Sequence, residues 1–320
     1  MPQGDSKEQL LLMQQAVDRL SSIGYTDIAF CYTIYGKAKQ VDAAATSLSL
    51  VSKLNPKSLQ ILKRLHVVVE NLSDVGYYTM ENNSIKSILQ TYDLVSMSPR
   101  NESAFVAACS TATLIDIVTL DYTSGRGGVQ LPYKIRTMDV KNICKRGVAI
   151  EIPYSHAILT LGQRKALVAT AQVLQSNSLG TKPKVLLSSG DSNPMALRAP
   201  GDLINLMTTV LQFNPTISYA ALNEVGGFVV EKAKRRHFGT IANIYFEQES
   251  PEQLNHTNDD LDKTLPLDKS SENKDKVRIG IVNATLQGDS NIEDGFITLW
   301  AIINSGSFIA YDWRRTIELK

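Results

Sequence analysis

KRGVAIEIPYS, residues 145–155, joins two basic side chains to a short apolar run. The run from Ala149 to Pro153 lacks the two-residue alternation of a strand that has one face in water. Strands buried on both faces have this pattern, and such strands belong to parallel sheets. The stretch therefore predicts a buried parallel strand, with the cations Lys145 and Arg146 just before its start.

Five further segments are short, apolar and rich in β-branched residues, and we expect them to be strands of the same sheet: Asp27–Cys31, Leu65–Glu70, Asp93–Met97, Leu114–Asp121 and Val185–Ser188. Helical periodicity predicts helices at Lys7–Ser22, Gln163–Gln175, Gly201–Phe213 and Thr216–Arg236. Repeated strand-then-helix units favour an α/β barrel or a doubly wound sheet.

The net charge of +1 is unevenly distributed along the 320 residues. Residues 1–246 carry 25 Lys and Arg against 18 Asp and Glu, and they form the predicted α/β body. Residues 247–276 carry 4 basic and 9 acidic side chains, and their polar composition predicts a disordered linker. Residues 277–320 contain three strand-like runs, which predict a small β-rich extension. A basic body suits a polyanionic ligand, but charge alone favours the alternative of a solvated surface with a charged tail.

The compartment follows from the cysteines and from the apolar runs. Cys31, Cys109 and Cys144 are widely spaced and odd in number, so neither a disulfide framework nor a zinc site is indicated. The first 20 residues lack the pattern of a signal peptide, and no apolar run has the roughly 20 residues that a membrane helix needs. We expect a soluble protein of a reducing, intracellular compartment.

A catalytic centre is difficult to assemble from this sequence. The four histidines form no HxH or HExxH pair, and Asp121, Glu151 and Asp191 near strand ends are the one conceivable carboxylate cluster. A metal hydrolase on a barrel needs several His, Asp and Glu side chains at the carboxyl ends of the strands. The motifs of serine hydrolases, phosphate-binding loops and dinucleotide sites are absent, and Ser124–Gly128 is interpreted as a flexible loop. No cofactor is expected.

Basic clusters are the stronger signal. The first cluster precedes the strand at Ala149 and consists of Lys134, Arg136, Lys141, Lys145 and Arg146. The second ends the last predicted helix of the body and contains Lys232, Lys234, Arg235 and Arg236. Cations at a helix C-terminus also complement the helix dipole, which accounts for part of the second cluster. Both clusters suit contacts with phosphate groups.

A third candidate site follows the strand Val185–Ser188. Arg198 lies beside a helix that begins with Pro200, and free N–H groups at such a helix start favour an anion. A plain turn between a strand and a helix is the alternative.

Four stretches together resemble the protein subunit of about thirty kilodaltons of eukaryotic ribonuclease P and RNase MRP. They are YDLVSMSP (Tyr92–Pro99), LPYKIRTMDVKNICKRGVAIEIPYSHAI (Leu131–Ile158), LLSSGDSNPMALRAPGDLINL (Leu186–Leu206) and EKAKRRHFG (Glu231–Gly239). Their order and spacing match the family from about Leu10 to Ile244.

The resemblance implies a TIM-barrel-like fold without the metal ligands of related phosphoesterases. It implies a nuclear, and nucleolar, ribonucleoprotein whose RNA removes 5′ leaders from precursor tRNA, with a relative that processes ribosomal RNA. It also implies a small ferredoxin-like partner subunit beside the ribonuclease P and RNase MRP RNAs. RNA-facing candidates under this resemblance are Arg146, Arg164, Ser188, Ser189 and Arg198, and more loosely Lys234, Arg235 and Arg236.

Two departures from the family pattern concern the ends. Family members begin with a strand that contains an Asp-Leu pair, whereas this sequence starts almost at the first helix. Without that strand the barrel would be incomplete and would expose an edge beside Asp27–Cys31. The second departure is residues 277–320, which have no counterpart in the family pattern. Their strand-like runs predict either a small β-unit of their own or a segment that packs back on the barrel, where one strand could fill the gap, and the sequence leaves both open.

Three functions are in competition: an RNA-binding scaffold subunit, which we favour; a metal-dependent phosphoesterase on a related barrel; and a degenerate barrel with protein partners only. Converging His and carboxylate side chains would favour the second function. Basic and hydroxyl groups would favour the first.

Overall fold

The computed structural model describes residues 3–38, 49–79, 83–125, 130–178, 180–190, 194–238, 285–286 and 296–302. The predicted linker at 247–276, most of the C-terminal extension and the glycine-rich residues 126–128 lie outside these ranges, as does Asp191. In the part that is described, no helix has the length and apolar character required to cross a membrane.

One sheet organises the structure, and its strands are β1 (Asp27–Tyr35), β2 (Gln60–Val69), β3 (Leu94–Pro99), β4 (Ile117–Thr119), β5 (Ala149–Pro153), β6 (Val185–Ser188), β7 (Thr285–Leu286) and β8 (Phe296–Ile302). The strand order is β6-β5-β4-β3-β2-β1-β8-β7. The first six strands are parallel and consecutive, as repeated strand–helix units require.

β8 lies against the edge of β1 that the sequence left open. It runs antiparallel to β1, with Asp27 opposite Ile302 and Thr33 opposite Phe296. The first seven residues of β1 are buried, and an open edge on such a strand presents unpaired backbone groups with which another chain could pair. β8 pairs with these backbone groups and so covers the edge.

The helices are α1 (Gln3–Ser22), α2 (Leu72–Tyr77), α3 (Asn83–Leu89), α4 (Glu102–Ser110), α5 (Thr137–Lys145), α6 (Ser155–Leu159), α7 (Leu161–Asn177), α8 (Pro200–Asn205), α9 (Pro215–Asn223) and α10 (Val225–Phe238). A π-helical turn, Leu206–Val210, follows α8.

Two sequence predictions need correction. The single helix predicted at Thr216–Arg236 is wrong, because α9 ends at Asn223 and α10 begins at Val225. The Asn223 side chain donates to the Tyr219 carbonyl oxygen, and two glycines follow at 226–227, so the helix is interrupted where its propensity is lowest. The strand predicted at Leu114–Asp121 is reduced to the three residues Ile117–Thr119.

The two faces of the sheet have different coverings. Side chains on one face, such as Phe30, Val95 and Ile150, belong to the main core, which the surrounding helices complete. The opposite face carries a second apolar cluster, in which the first residues of several strands pack against α10: Ala29, Cys31, Leu62, Leu94, Ile117, Ala149 and Leu186 with Val225, Val229 and Ala233. Thus α10 closes the inner face at the amino-terminal ends of the strands.

A buried polar network occupies the inner face beyond this apolar cluster. Arg64 and Glu151 form a two-pronged ion pair, with Nη1–Oε1 at 2.9 Å and Nη2–Oε2 at 2.7 Å. Both side chains are 0% exposed. Ser96 accepts from Arg64 Nε at 2.7 Å, and Thr119 donates to Glu151 Oε2 at 2.6 Å. The pair and its hydroxyl partners therefore fix β2, β3, β4 and β5 relative to one another.

Candidate nucleic-acid interface

The turn between α5 and β5 sets the position of α10. Gly147 has a φ of +61°, and a Cβ there would lie 3.3 Å from Cζ of Phe228. On the same aromatic ring, the ammonium of Lys184 lies 3.8 Å from the centroid. Because only glycine combines this φ with this close approach, the sequence Lys145-Arg146-Gly147 is held against α10 and against the start of β6.

Cations from three chain segments meet at this end of the sheet. We call this surface the basic end and define it by six residues: Lys145, Arg146, Lys184, Lys232, Lys234 and Arg235. Lys145 ends α5, Lys184 directly precedes β6, and the last three lie on α10. Lys234 also faces the first residue of β1, where it opposes the raised pKa that burial gives Asp27.

Arg146 is the most enclosed arginine of the basic end. Its Nη1 donates to the Ala108 carbonyl oxygen at 2.8 Å. Burial lowers the pKa of its guanidinium, and the pKa of the Lys232 ammonium is lowered to about 8, chiefly by burial. Lys232 Nζ donates to the Ile115 carbonyl oxygen at 3.0 Å.

Arg235 and Arg236 are neighbours in sequence with opposite environments. Arg235 forms an exposed ion pair with Glu231, with 74% and 64% of the side chains exposed. Arg236 lies in the interior: its Nη2 is 3.1 Å from Asp116 Oδ2, and its Nη1 donates to the Leu89 carbonyl oxygen at 3.1 Å. Arg236 therefore anchors α10 to the segments before β3 and β4.

The remaining residues of the first cluster lie along α5 and before it. Lys134 and Lys141 are exposed, and Arg136 occupies the N-cap of α5, where its backbone N–H donates to Asp139 at 3.0 Å. The Arg136 guanidinium pairs with Glu102. These three cations lead from the start of α5 toward the basic end.

Arg164 and Arg198 lie apart from the basic end. Arg164 is exposed on the first turn of α7, beyond the carboxyl end of β5, and its Nε donates to the Ala157 carbonyl oxygen at 3.0 Å. Arg198 is half-buried, and its Nη1 donates to the carbonyl oxygens of Met195 and Leu197 at 2.8 and 3.1 Å. The guanidinium of Arg198 is thus turned onto its own loop.

Ser188 and Ser189 are fully buried, each with 0% exposure. Their carbonyl oxygens accept the backbone N–H groups of Tyr154 and Ser155 and so extend the pairing of β5 with β6. Neither serine is on the surface, so neither can reach RNA in this conformation. Their sequence position at a strand end does not reveal which side chains face inward.

Two of the three carboxylates near strand ends, Glu151 and Asp121, are paired with arginines. Glu151 is paired with Arg64, and Asp121 lies 3.0 Å from Arg100. His66, next to Ser96 on the inner face, has its pKa held well below the usual range by burial and by the nearby Arg64 and Arg100. Across the residues that the structure describes, no three His, Cys, Asp or Glu side chains are grouped so as to hold a metal ion.

Two cations of the basic end, Lys184 and Lys232, were not named as RNA-facing candidates from the sequence. Lys184 is isolated in sequence, and its signal was its position directly before the start of β6. Lys232 belonged to the second basic cluster, but nothing in the sequence distinguished it from its neighbours.

Comparison with known proteins identifies the family. The family model described as RNase P subunit p30 matches residues 6–237. Ribonuclease P protein subunit p30 of Mus musculus is 24% identical over 244 residues, which cover 73% of this chain and 86% of the mouse protein. Protein GAMETOPHYTE DEFECTIVE 1 of Arabidopsis thaliana is 31% identical over 125 residues, but these span 39% of this chain and 20% of the plant protein.

The fold has a counterpart among solved structures. A chain from the cryo-EM structure of archaeal ribonuclease P with mature tRNA matches with a TM-score of 0.52 and 12% sequence identity. The match covers 75% of this chain and 96% of the archaeal chain. The predicted TIM-barrel-like α/β fold is confirmed, and so is the family resemblance that the four sequence stretches indicated. This chain belongs to the RNase P subunit p30 family.

Proposed function

We propose that this chain is a non-catalytic, RNA-binding protein subunit of ribonuclease P, and also of RNase MRP. In this role it supports the removal of 5′ leaders from precursor tRNA and the processing of ribosomal RNA in the nucleus, including the nucleolus. Its partners are the RNAs of these complexes, a small ferredoxin-like subunit and further protein subunits. Precursor tRNA is an indirect partner.

The basic end carries this proposal. Segments that are far apart in sequence place six cations at one end of the sheet, although the whole chain has a net charge of only +1. Arg235 is paired with the exposed Glu231, and exposed ion pairs contribute little, so a phosphate group can replace this carboxylate at Arg235. This concentration of positive charge is what a polyanion recognises.

Contacts with phosphate groups explain how this surface binds without base-reading side chains. The deep major groove of an RNA helix excludes side chains, so proteins recognise such helices mainly through backbone and shape. Lysine and arginine supply the affinity by displacing counterions from the RNA, which makes binding depend steeply on salt.

The candidate RNA-facing residues therefore divide into main contacts, additional contacts and residues with a supporting role. Lys145, Arg146, Lys184, Lys232, Lys234 and Arg235 form the main contact, and Lys134, Arg136 and Lys141 extend it along α5. Arg164 and Arg198 are proposed as separate contacts in the assembled complex. For Ser188, Ser189 and Arg236 we propose a supporting role inside the fold.

A salt titration tests the proposal. The full chain is compared with the Lys145→Ala/Arg146→Ala variant in binding ribonuclease P RNA between about 50 and 200 mM salt. Two lost phosphate contacts lower the slope of log affinity against log salt by about 1.4 to 1.8. Lys37→Ala/Lys165→Ala is the matched control, because it removes two exposed cations outside the basic end.

The control variant should keep the slope of the wild type. Equal slopes for both double variants, with unchanged circular dichroism, would place the RNA on another surface. Absence of RNA binding by the wild-type chain would contradict the proposed function itself.

A further inference from the structure

Two stretches that adjoin in the fold contain no charged residue, although 20% of the residues of the whole chain are charged. Residues 203–223 contain no Asp, Glu, Lys, Arg or His, and neither do residues 166–181. The first stretch forms the end of α8, the π-helical turn and α9, and the second contains most of α7. Gln175 Nε2 donates to the Leu211 carbonyl oxygen at 2.8 Å, so the two stretches lie side by side.

Large apolar side chains of the first stretch are exposed to solvent. Val210, Ile217 and Tyr219 are between 37% and 43% exposed. Val210 ends the π-helical turn, and α9, which carries the other two side chains, packs against that turn. We call this surface the uncharged face and define it by five exposed residues: Thr209, Val210, Thr216, Ile217 and Tyr219. The centres of protein interfaces are depleted of charged residues in the same way, so the composition of this face fits contact with a protein.

The backbone is strained where the uncharged face is formed. Leu206–Val210 is a π-helical turn, a rare form that is frequent at functional sites. The hydroxyl groups of Thr208 and Thr209 donate to carbonyl oxygens of the preceding turn, an arrangement that slightly destabilises a helix. Gln212 has a φ of +59°, in the left-handed region that side-chain-bearing residues rarely adopt. Strained backbone of this kind clusters at binding sites, which agrees with a role for this exposed turn.

The charge pattern distinguishes the candidate occupants of the uncharged face. RNA is a polyanion whose affinity comes from lysine and arginine, and the face supplies neither. A second copy of this chain is also disfavoured, because residues 1–246 carry 25 basic and 18 acidic side chains and two such bodies repel each other. The occupant that fits is a different protein with an uncharged, apolar contact surface.

We propose that the uncharged face docks another protein subunit of the proposed ribonucleoprotein, through apolar side chains and uncharged polar groups. This inference rests on the proposed function and adds a second surface that shares no residue with the basic end. RNA and the protein partner are then held by different parts of the chain. Because no charges take part, this contact should depend little on salt, in contrast to RNA binding at the basic end.

The first measurement is amide hydrogen exchange of the wild type in three states. They are the isolated chain, the chain with ribonuclease P RNA alone, and the complex purified through a tag on the full chain. Docking of a protein excludes water and restrains the turn, so residues 206–220 should exchange at least about fivefold more slowly in the complex than in the other two states.

The second measurement uses charge as a probe. Val210→Glu/Ile217→Glu places two carboxylates in the uncharged face, and Leu11→Glu/Leu72→Glu is the matched control, because it adds the same charge at two exposed leucines elsewhere. An unpaired charge is costly to bury in an apolar contact. The face variant should therefore recover about tenfold less of one protein subunit than the control, while the RNA affinity of the two isolated variants agrees within about twofold.

Direct binding completes this second measurement. The subunit that is lost should, once purified, bind the isolated wild-type chain, with an affinity that changes less than about twofold between about 50 and 500 mM salt. The face variant should weaken this binding about tenfold, and the control should not weaken it.

Each contrary outcome has its own meaning. Slower exchange of residues 206–220 with RNA alone would make the uncharged face an RNA contact and overturn the inference. A dimer of the isolated chain that the face variant dissociates, seen by analytical ultracentrifugation, would assign the face to a second copy. Equal exchange in the complex and in the isolated chain would overturn the docking surface and leave the proposed function standing. A purified complex without ribonuclease P RNA would overturn the proposed function. The exchange measurement uses the wild type and decides even if the face variant does not fold.

Discussion

Glu151→Gln is expected to be among the most destabilising single substitutions in this chain. The carboxylate accepts two hydrogen bonds from Arg64 and one from Thr119, all between 2.6 and 2.9 Å. Since both charged side chains are 0% exposed, no solvent replaces the lost carboxylate. Breaking a buried ion pair from one side costs about 3–5 kcal/mol, because the remaining charge is left uncompensated.

Stability is measured at pH 7 by urea unfolding and by thermal unfolding, each monitored by circular dichroism. A loss of about 3–5 kcal/mol corresponds to a fall in melting temperature of roughly 6–20 °C for a domain of this size. Glu231→Gln, which breaks the exposed pair with Arg235, is the control and should cost less than about 1 kcal/mol. The double variant Arg64→Met/Glu151→Leu removes both charges and should be more stable than Glu151→Gln.

Similar losses of unfolding free energy for Glu151→Gln and Glu231→Gln would show that the buried pair contributes no more to stability than the exposed one. A double variant less stable than Glu151→Gln would show that the uncompensated charge of Arg64 is not the cause of the loss. Either result would mean that the network is not the element that fixes the four strands.

Three further predictions concern the basic end and the inner face. Gly147→Ala should destabilise the chain by about 1–2 kcal/mol in urea unfolding, because φ is +61° and Phe228 is close; Gly201→Ala, a helical position with open space, should not destabilise it. Burial lowers the pKa of Lys232 to about 8, whereas unfolded lysine titrates near 10.4, so the unfolded chain binds more protons between these values. Stability should therefore rise from about pH 8 to pH 10 in the wild type relative to Lys232→Met, and parallel pH profiles would contradict this. The purified chain should show no nuclease or phosphatase turnover with Mg²⁺, Mn²⁺ or Zn²⁺, because Glu151 and Asp121 are already paired with Arg64 and Arg100. Metal-dependent turnover that Asp121→Asn abolishes would overturn the scaffold interpretation.

The sheet was predictable because its strands are continuous apolar runs. β5 and β6 have the predicted bounds, and β1 to β4 are shifted or changed in length by a few residues. Five short helices were not predicted, namely α2 to α6, which have five to nine residues each. Helical periodicity needs a longer window than these segments provide, and tertiary packing rather than propensity stabilises them.

The basic end was predictable where cations cluster in sequence. It was not predictable where the direction of a side chain decides whether that side chain faces solvent or the interior. Consecutive helical residues differ by about 100° in direction, so Arg235 faces solvent while Arg236 faces Asp116. Successive side chains of a strand point to opposite faces of the sheet, and the Ser188 side chain lies on a buried face. The Arg64–Glu151 pair joins residues 87 positions apart, and such a pairing is set by strand order, which the local pattern does not contain.

Whether this chain is a subunit of ribonuclease P can be decided by purifying the tagged full chain from its own cells and sequencing the bound RNA. We expect strong enrichment of ribonuclease P RNA and of RNase MRP RNA, and a purified complex that cleaves the 5′ leader from precursor tRNA. The Lys145→Ala/Arg146→Ala variant should recover less of both RNAs than Lys37→Ala/Lys165→Ala. Recovery of neither RNA, with the chain folded and expressed, would mean that the chain is not a subunit of these complexes.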